Sequence, residues 1–165
     1  MLFDVKLYRD LLPDYAELRL QENRTRNITV TNGKIIRNDA GAKRGLSARV
    51  HVGGAMGFSA TEVVSEVAVQ KVLAEAKRNA LHLQPFISAS KHGSAFSFSP
   101  FTHVMDLSTK KALWTTSQIL DFLMQVDDYI AKTYPGLKSR TITLTELDME
   151  KTLINTPGSA LESLW

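Results

Sequence analysis

Residues 27–39 read NITVTNGKIIRND, and no other stretch limits the fold so strongly. Asn32-Gly33 is the favoured pair for a type I′ turn, because both central residues of that turn need φ > 0. Ile28 and Val30 precede it, and Ile35 and Ile36 follow. The pattern predicts a β-hairpin, and an isolated hairpin is only marginally stable, so it needs neighbours. The flanking sequence supplies them. Over residues 14–22, Ala16, Leu18 and Leu20 alternate with Tyr15, Glu17, Arg19 and Gln21, the period of a half-buried strand. Leu46, Ala48, Val50 and Val52 alternate with Ser47, Arg49 and His51. Gly53-Gly54 then gives a second two-residue turn, and residues 55–59 return as a partner strand. Four or five strands joined by such tight links should pair antiparallel.

The period changes at residue 65. Val69, Val72, Leu73, Ala76 and Ala80 share one face of a helix over 65–83, with Ser65 or Thr61 as its cap. That stripe and the apolar face of the sheet should cover each other. Residues 84–104 carry no periodicity and read as a linker or long loop, although Phe86, Phe96, Phe98 and Phe101 argue against a free coil. Thr115 and Gln118 have capping-box spacing. Ile119, Phe122, Leu123, Val126 and Ile130 continue as a second helical stripe that Pro135-Gly136 ends. Residues 141–146 and 150–155 read as two strands around Leu147-Asp148-Met149, and Thr156-Pro157-Gly158-Ser159 is a further turn. The expected class is α+β: a mostly antiparallel sheet of hairpin-connected strands packed by an amphipathic helix, then a helix plus β-hairpin that start a second unit. The expected organisation is a first domain over 1–84, a linker over 85–104, and a second, incomplete unit over 105–165.

Several chemistries are excluded or weakened. The chain has no cysteine, which removes disulfides, thiolate metal sites and a thiol nucleophile. A net charge of +3 without any Lys/Arg run does not point to nucleic acid or to an anionic membrane. No apolar run is long enough for a membrane span, and the N-terminus lacks a secretory pattern, so a cytoplasmic location is expected. The glycines at 53, 54 and 57 miss the G-x-G-x-x-G spacing and are followed by no Walker lysine, so they turn a hairpin and do not cradle a phosphate. His51, His82, His92 and His103 show no metal-ligand spacing. Asp127-Asp128 point about 100° apart on a helix, and a solvated surface is the expected place for them and for Asp121. Arg24, Arg26, Lys34 and Arg37 line the first hairpin; the wet face of a sheet is the favoured reading, and contact with a phosphate or an acidic partner is the other. No residue is assigned as catalytic, cofactor-binding or metal-binding.

The order of motifs nonetheless resembles the TldD/PmbA family. Its N-terminal domain has a "YAE-R" strand, here Tyr15-Ala16-Glu17-Leu18-Arg19, and an "I-V-NGK" hairpin, here residues 28–34. It continues with an "RG-(x)-(x)-RV" strand, here Arg44 to Val50, and a "G-GF(A/S)-T" return, here Gly54 to Thr61. The likeness spans residues 14–83. Residues 116–158 resemble the start of the family's middle domain up to its "IN(S/T)-x-G" turn, Ile154 to Gly158.

The resemblance implies a zinc metallopeptidase family that matures or degrades peptides, often as a two-subunit assembly with one silent partner. Some members are described as modulators of DNA gyrase. The family's HExxxH zinc motif lies in a C-terminal part and is missing here. The expectation is therefore the N-terminal, non-catalytic portion of such a subunit, truncated and inactive alone, with no cofactor of its own. It would help to shape the substrate chamber and dimer contact. Its partners would be a TldD/PmbA-like subunit, as homo- or hetero-oligomer, and a peptide substrate in the full-length protein. The alternative is a stand-alone protein-interaction module, and nucleic-acid binding ranks last.

Overall fold

The computed structural model describes residues 3–13, 15–87 and 100–165. A 3-10 segment, Val5–Leu11, opens the chain. It is followed by β1 (Ala16–Thr31), β2 (Lys34–Val52), β3 (Ala55–Thr61) and α1 (Glu66–Leu83). After a short 3-10 turn at Gln84–Phe86 come β4 (Thr102–Asp106), α2 (Thr116–Thr133), β5 (Thr141–Asn155) and β6 (Ala160–Leu164). The strands form a six-stranded sheet in the order β3-β2-β1-β5-β6-β4. Pairs β2/β3 and β5/β6 are antiparallel, and β4/β6 is parallel. The class is the expected α+β with a mostly antiparallel sheet. No helix among the described residues is long and apolar enough to cross a membrane.

Strand number departs from the expectation because separate runs merge, in β2 even through Gly41 and Gly45. Polar stretches separate the expected runs, yet Glu22-Asn23-Arg24-Thr25-Arg26 and Leu147-Asp148-Met149 hold no proline or glycine to force a turn. The backbone stays extended through both, so β1 runs unbroken for 16 residues and β5 for 15. The second β-hairpin therefore forms between β5 and β6, across the turn that Gly158 allows with φ 102°. The Thr102–Asp106 strand occupies a stretch without legible periodicity.

The chain divides into two compact units, and β1, β2 and β5 contribute to both. The first holds residues 1–23, 43–107 and 149–165. Its core is one face of the sheet under α1. Ala16 and Leu18 of β1, and Leu46, Ala48 and Val50 of β2, are buried against Val69, Val72, Leu73 and Ala76. Ser65 caps α1, its hydroxyl accepting from the Ala68 N–H at 3.2 Å. The helix lies close on β3: a Cβ added at Gly57 would stand 1.9 Å from the Ala76 carbonyl oxygen. Two hydrogen bonds pin the contact, Ser59 Oγ to Glu75 Oε2 at 2.8 Å and Asn79 Nδ2 to the Phe58 carbonyl at 2.9 Å.

The Thr156–Ser159 turn binds this unit's ends together. Thr156 Oγ1 donates to the Pro13 carbonyl at 2.8 Å and accepts from the Ala16 N–H at 2.9 Å. Asn155 Oδ1 accepts from the Ser159 N–H at 2.8 Å, and Arg9 Nη1 donates to the Gly158 carbonyl at 2.6 Å. Side chains here complete backbone groups that a turn would otherwise leave unpaired.

The second unit holds residues 24–42 and 108–148. The Asn32-Gly33 turn has the positive φ values the sequence demands, 48° and 73°. Thr115 and Gln118 form a full capping box at the start of α2. The small core packs Ile28 and Val30 against Ile119 and Leu123, with Ile142 and Leu144 partly buried beside them. Ile35 and Ile36 are exposed, and so is Phe122, whose ring meets Trp114 edge-on at 5.4 Å.

Candidate functional site

Period two dictates that whatever alternates with the core residues of a strand faces away from them. In the first unit the face opposite α1 carries Glu17, Arg19, Gln21 and Asn23 on β1 and Lys43, Ser47 and Arg49 on β2. Phe58 and Ala60 on β3 stand opposite Arg49 and Ser47. Together these residues line an open groove of about 610 Å³. Four cations, Arg19, Lys43, Arg44 and Arg49, meet two carboxylates, Glu17 and Glu62.

The groove floor is an ordered polar chain along β1. Arg19 Nη2 donates to Gln21 Oε1 at 2.5 Å, and Gln21 Nε2 donates to Asn23 Oδ1 at 2.8 Å. Arg49 lies 3.6 Å from Glu17. Arg19 Nε is buried and has no hydrogen-bond partner. Beside them His51 packs edge-on against Tyr15 at 4.9 Å. Burial pushes the His51 imidazole below its ordinary pKa, the Arg49 charge works in the same direction, and the Glu17 carboxylate opposes both. Burial likewise raises the Tyr15 phenol.

Of the glycines at 53, 54 and 57, two turn a hairpin as expected and one makes room for a helix. Gly53 and Gly54 turn the β2/β3 hairpin with φ 55° and 84°. Gly57 makes room for α1. His51 lies on β2, His82 in the last turn of α1 and His103 on β4, while His92 lies outside the described residues. Among the described residues no group of three or more His, Asp or Glu side chains converges as a metal site would require. The hairpin arginines have acidic neighbours, Arg26 with Glu146 at 3.4 Å and Arg37 Nη2 with Asp39 at 3.0 Å.

One acid departs from its expected place. Asp128 is exposed and pairs with Lys132, but Asp127 is buried, with 3% of its surface exposed. It lies one and two turns beyond Leu123 and Ile119, so it completes the buried stripe of α2. Arg140 Nε and Nη2 each donate to one oxygen of Asp127 at 2.8 Å. The Gly33 N–H donates to the same carboxylate, and the Arg140 N–H donates to Asn32 Oδ1 at 2.9 Å. The Arg140 guanidinium holds the Asp127 carboxyl below its ordinary pKa. This is a clasp on the Asn-Gly turn. An acid in phase with an apolar stripe, with an arginine following the helix, was the available signal.

Comparison with known proteins then gives the framework. Residues 16–80 match the family model described as PmbA/TldA metallopeptidase domain 1. The chain is similar to the crystal structure of a proposed modulator of a DNA gyrase from Thermotoga maritima, with a TM-score of 0.70 and 17% identity over 97% of this chain and 35% of that one. It is similar to TldE from Thermococcus kodakarensis, with a TM-score of 0.63 and 10% identity over 96% of this chain and 36% of that one. A proposed modulator of DNA gyrase from Bacteroides thetaiotaomicron gives a TM-score of 0.57 and 12% identity over 92% of this chain and 34% of that one. No curated protein matches. The chain thus spans about a third of the length of the solved structures it matches. Residues 16–80 are thus similar to the first domain of the TldD/PmbA metallopeptidase family, and the fold as a whole is like that of the solved structures named above.

Proposed function

We propose that this chain is the non-catalytic, N-terminal portion of a TldD/PmbA-like metallopeptidase subunit acting in peptide maturation or degradation. Its polar sheet face walls the substrate chamber, and the chain contacts a second TldD/PmbA-like subunit. The observation that carries this reading is the coincidence of the family match over 16–80 with the groove on β1, β2 and β3. The other face of those strands is occupied by α1, so this face is the one left to meet another molecule.

The described residues do not fit zinc, since no three donors converge. What these residues supply is binding and orientation. Arg19 and Arg49 offer fixed donors, Gln21 and Asn23 offer amides, and Phe58 offers an apolar wall at 50% exposure.

The test is a cleavage assay on the purified chain with zinc supplied, read by mass spectrometry on a mixed peptide pool. The expected result is no new peptide ends. Chelator-sensitive cleavage by the chain alone would overturn the non-catalytic assignment.

A further inference from the structure

Resting on the reading above, we infer that the groove of the first unit binds an acidic extended peptide segment, and that Arg19 is its specificity-determining residue. Three observations meet there. The groove carries an excess of cationic over anionic side chains, and one of its two carboxylates, Glu17, already has Arg49 3.6 Å away. Its floor holds a guanidinium with a buried donor unused, Arg19 Nε. Its walls are strands, whose alternating side chains set a spacing that an extended ligand shares.

The chain contains its own comparison. Arg140 uses Nε and Nη2 as a fork on the two oxygens of Asp127, both at 2.8 Å. Arg19 has the same edge half occupied: Nη2 is on the Gln21 amide oxygen and Nε is on nothing. An amide oxygen can satisfy one prong, whereas a carboxylate satisfies both and brings the opposite charge. A ligand glutamate or aspartate that displaces the Gln21 amide completes the fork and frees Gln21 to bond the ligand backbone. Lys43, Arg44 and Arg49 supply the surrounding positive field, and Glu62 disfavours a second ligand carboxylate at its end of the groove. Asn79 already takes the Phe58 carbonyl of the outermost strand, which favours a ligand laid on the sheet face over one added to that strand.

The experiment is fluorescence anisotropy of the full chain with a short fluorescein-labelled peptide bearing glutamate at alternate positions. Its glutamine counterpart and inorganic phosphate serve as competitors. The acidic peptide should bind, and the glutamine peptide should compete about tenfold more weakly, the weight of one charge-assisted fork. Arg19→Lys keeps the charge and loses the fork, so it should weaken binding several-fold with an unchanged melting profile. Arg37→Lys, outside the groove, should leave binding intact. Equal competition by the two peptides, full displacement by millimolar phosphate, or an Arg19→Lys chain that binds like the parent would each overturn the proposal. Should Arg19→Lys melt early, Arg44→Ala replaces it with the same expected loss. Absence of acidic-peptide binding beside intact assembly with a family subunit would sink this inference alone. The reverse pattern would sink the reading it rests on.

Discussion

Gly57→Ala tests the packing that positions the groove, because it asks whether α1 rests on bare backbone. The added Cβ would stand 1.9 Å from the Ala76 carbonyl oxygen and 2.3 Å from the Ala80 amide nitrogen. Both are helix backbone atoms, so no rotamer change relieves the clash. An ordinary contact needs about 3.4 Å, so the helix must retreat by roughly 1.5 Å along that direction. Such a retreat loosens Val69, Val72, Leu73 and Ala76 from the strands they cover and strains the bonds from Glu75 and Asn79. Overpacking of this kind costs about 1–3 kcal/mol, and immovable backbone on the other side places this case near about 3 kcal/mol. For a chain of this size that lowers Tm by about 6–12 °C. Gly41→Ala is the control, since a Cβ there meets nothing within 4 Å. Thermal and urea melts followed by circular dichroism would read both. If Gly57→Ala melts with Gly41→Ala and the parent, the close helix-on-strand contact is wrong.

Four further outcomes follow from the geometry. Gly33→Ala puts a Cβ at φ 73°, and should cost about 1–2 kcal/mol in urea titrations. Asp127 has a depressed folded pKa, so its pair with Arg140 contributes stability above the unfolded value near 3.8 and loses it as pH falls through the folded value. Asp127→Asn should therefore flatten the acid limb of a pH–stability profile below that point while lowering stability at neutral pH. The His51 resonance should titrate below 6.5 by NMR. Because burial depresses its folded pKa, the neutral imidazole stabilises the fold above 6.5 and that contribution falls away as pH drops through the folded value. Val72→Asp should unfold the first unit, since an unpaired charge in the core costs several kcal/mol, and an unchanged melt would refute the helix-on-sheet core.

Much of the fold was legible because local chemistry and tertiary structure agree. The Asn32-Gly33 and Gly53-Gly54 turns, the Ser65 cap, the Thr115/Gln118 box and the α1 stripe are all local signals, and each stands where its residues put it. What escaped was non-local. The merging of two strand runs into β1, of two into β2 and of two into β5 is decided by pairing across the sheet, which composition does not report. The parallel β4/β6 pair joins residues 58 positions apart in sequence at Thr102 and Ala160, and no turn announces it. Asp127 departs from the expected surface because ion pairing overrides the polarity rule for burial, and its partner Arg140 lies beyond the helix, just before β5. The groove was half legible. Alternation gave the polar face of β1 and β2, but the spare Arg19 Nε depends on where Gln21 and Asn23 settle.

The most direct test of the proposed place in a peptidase assembly is co-elution. The chain would be mixed with a full-length TldD/PmbA-like subunit bearing HExxxH, separated by size exclusion with light scattering, and the fractions assayed for peptide cleavage. The account predicts a mixed species containing both chains, with cleavage only where the full-length subunit is present. Separate elution of the two, or cleavage in the fractions holding this chain alone, would contradict it.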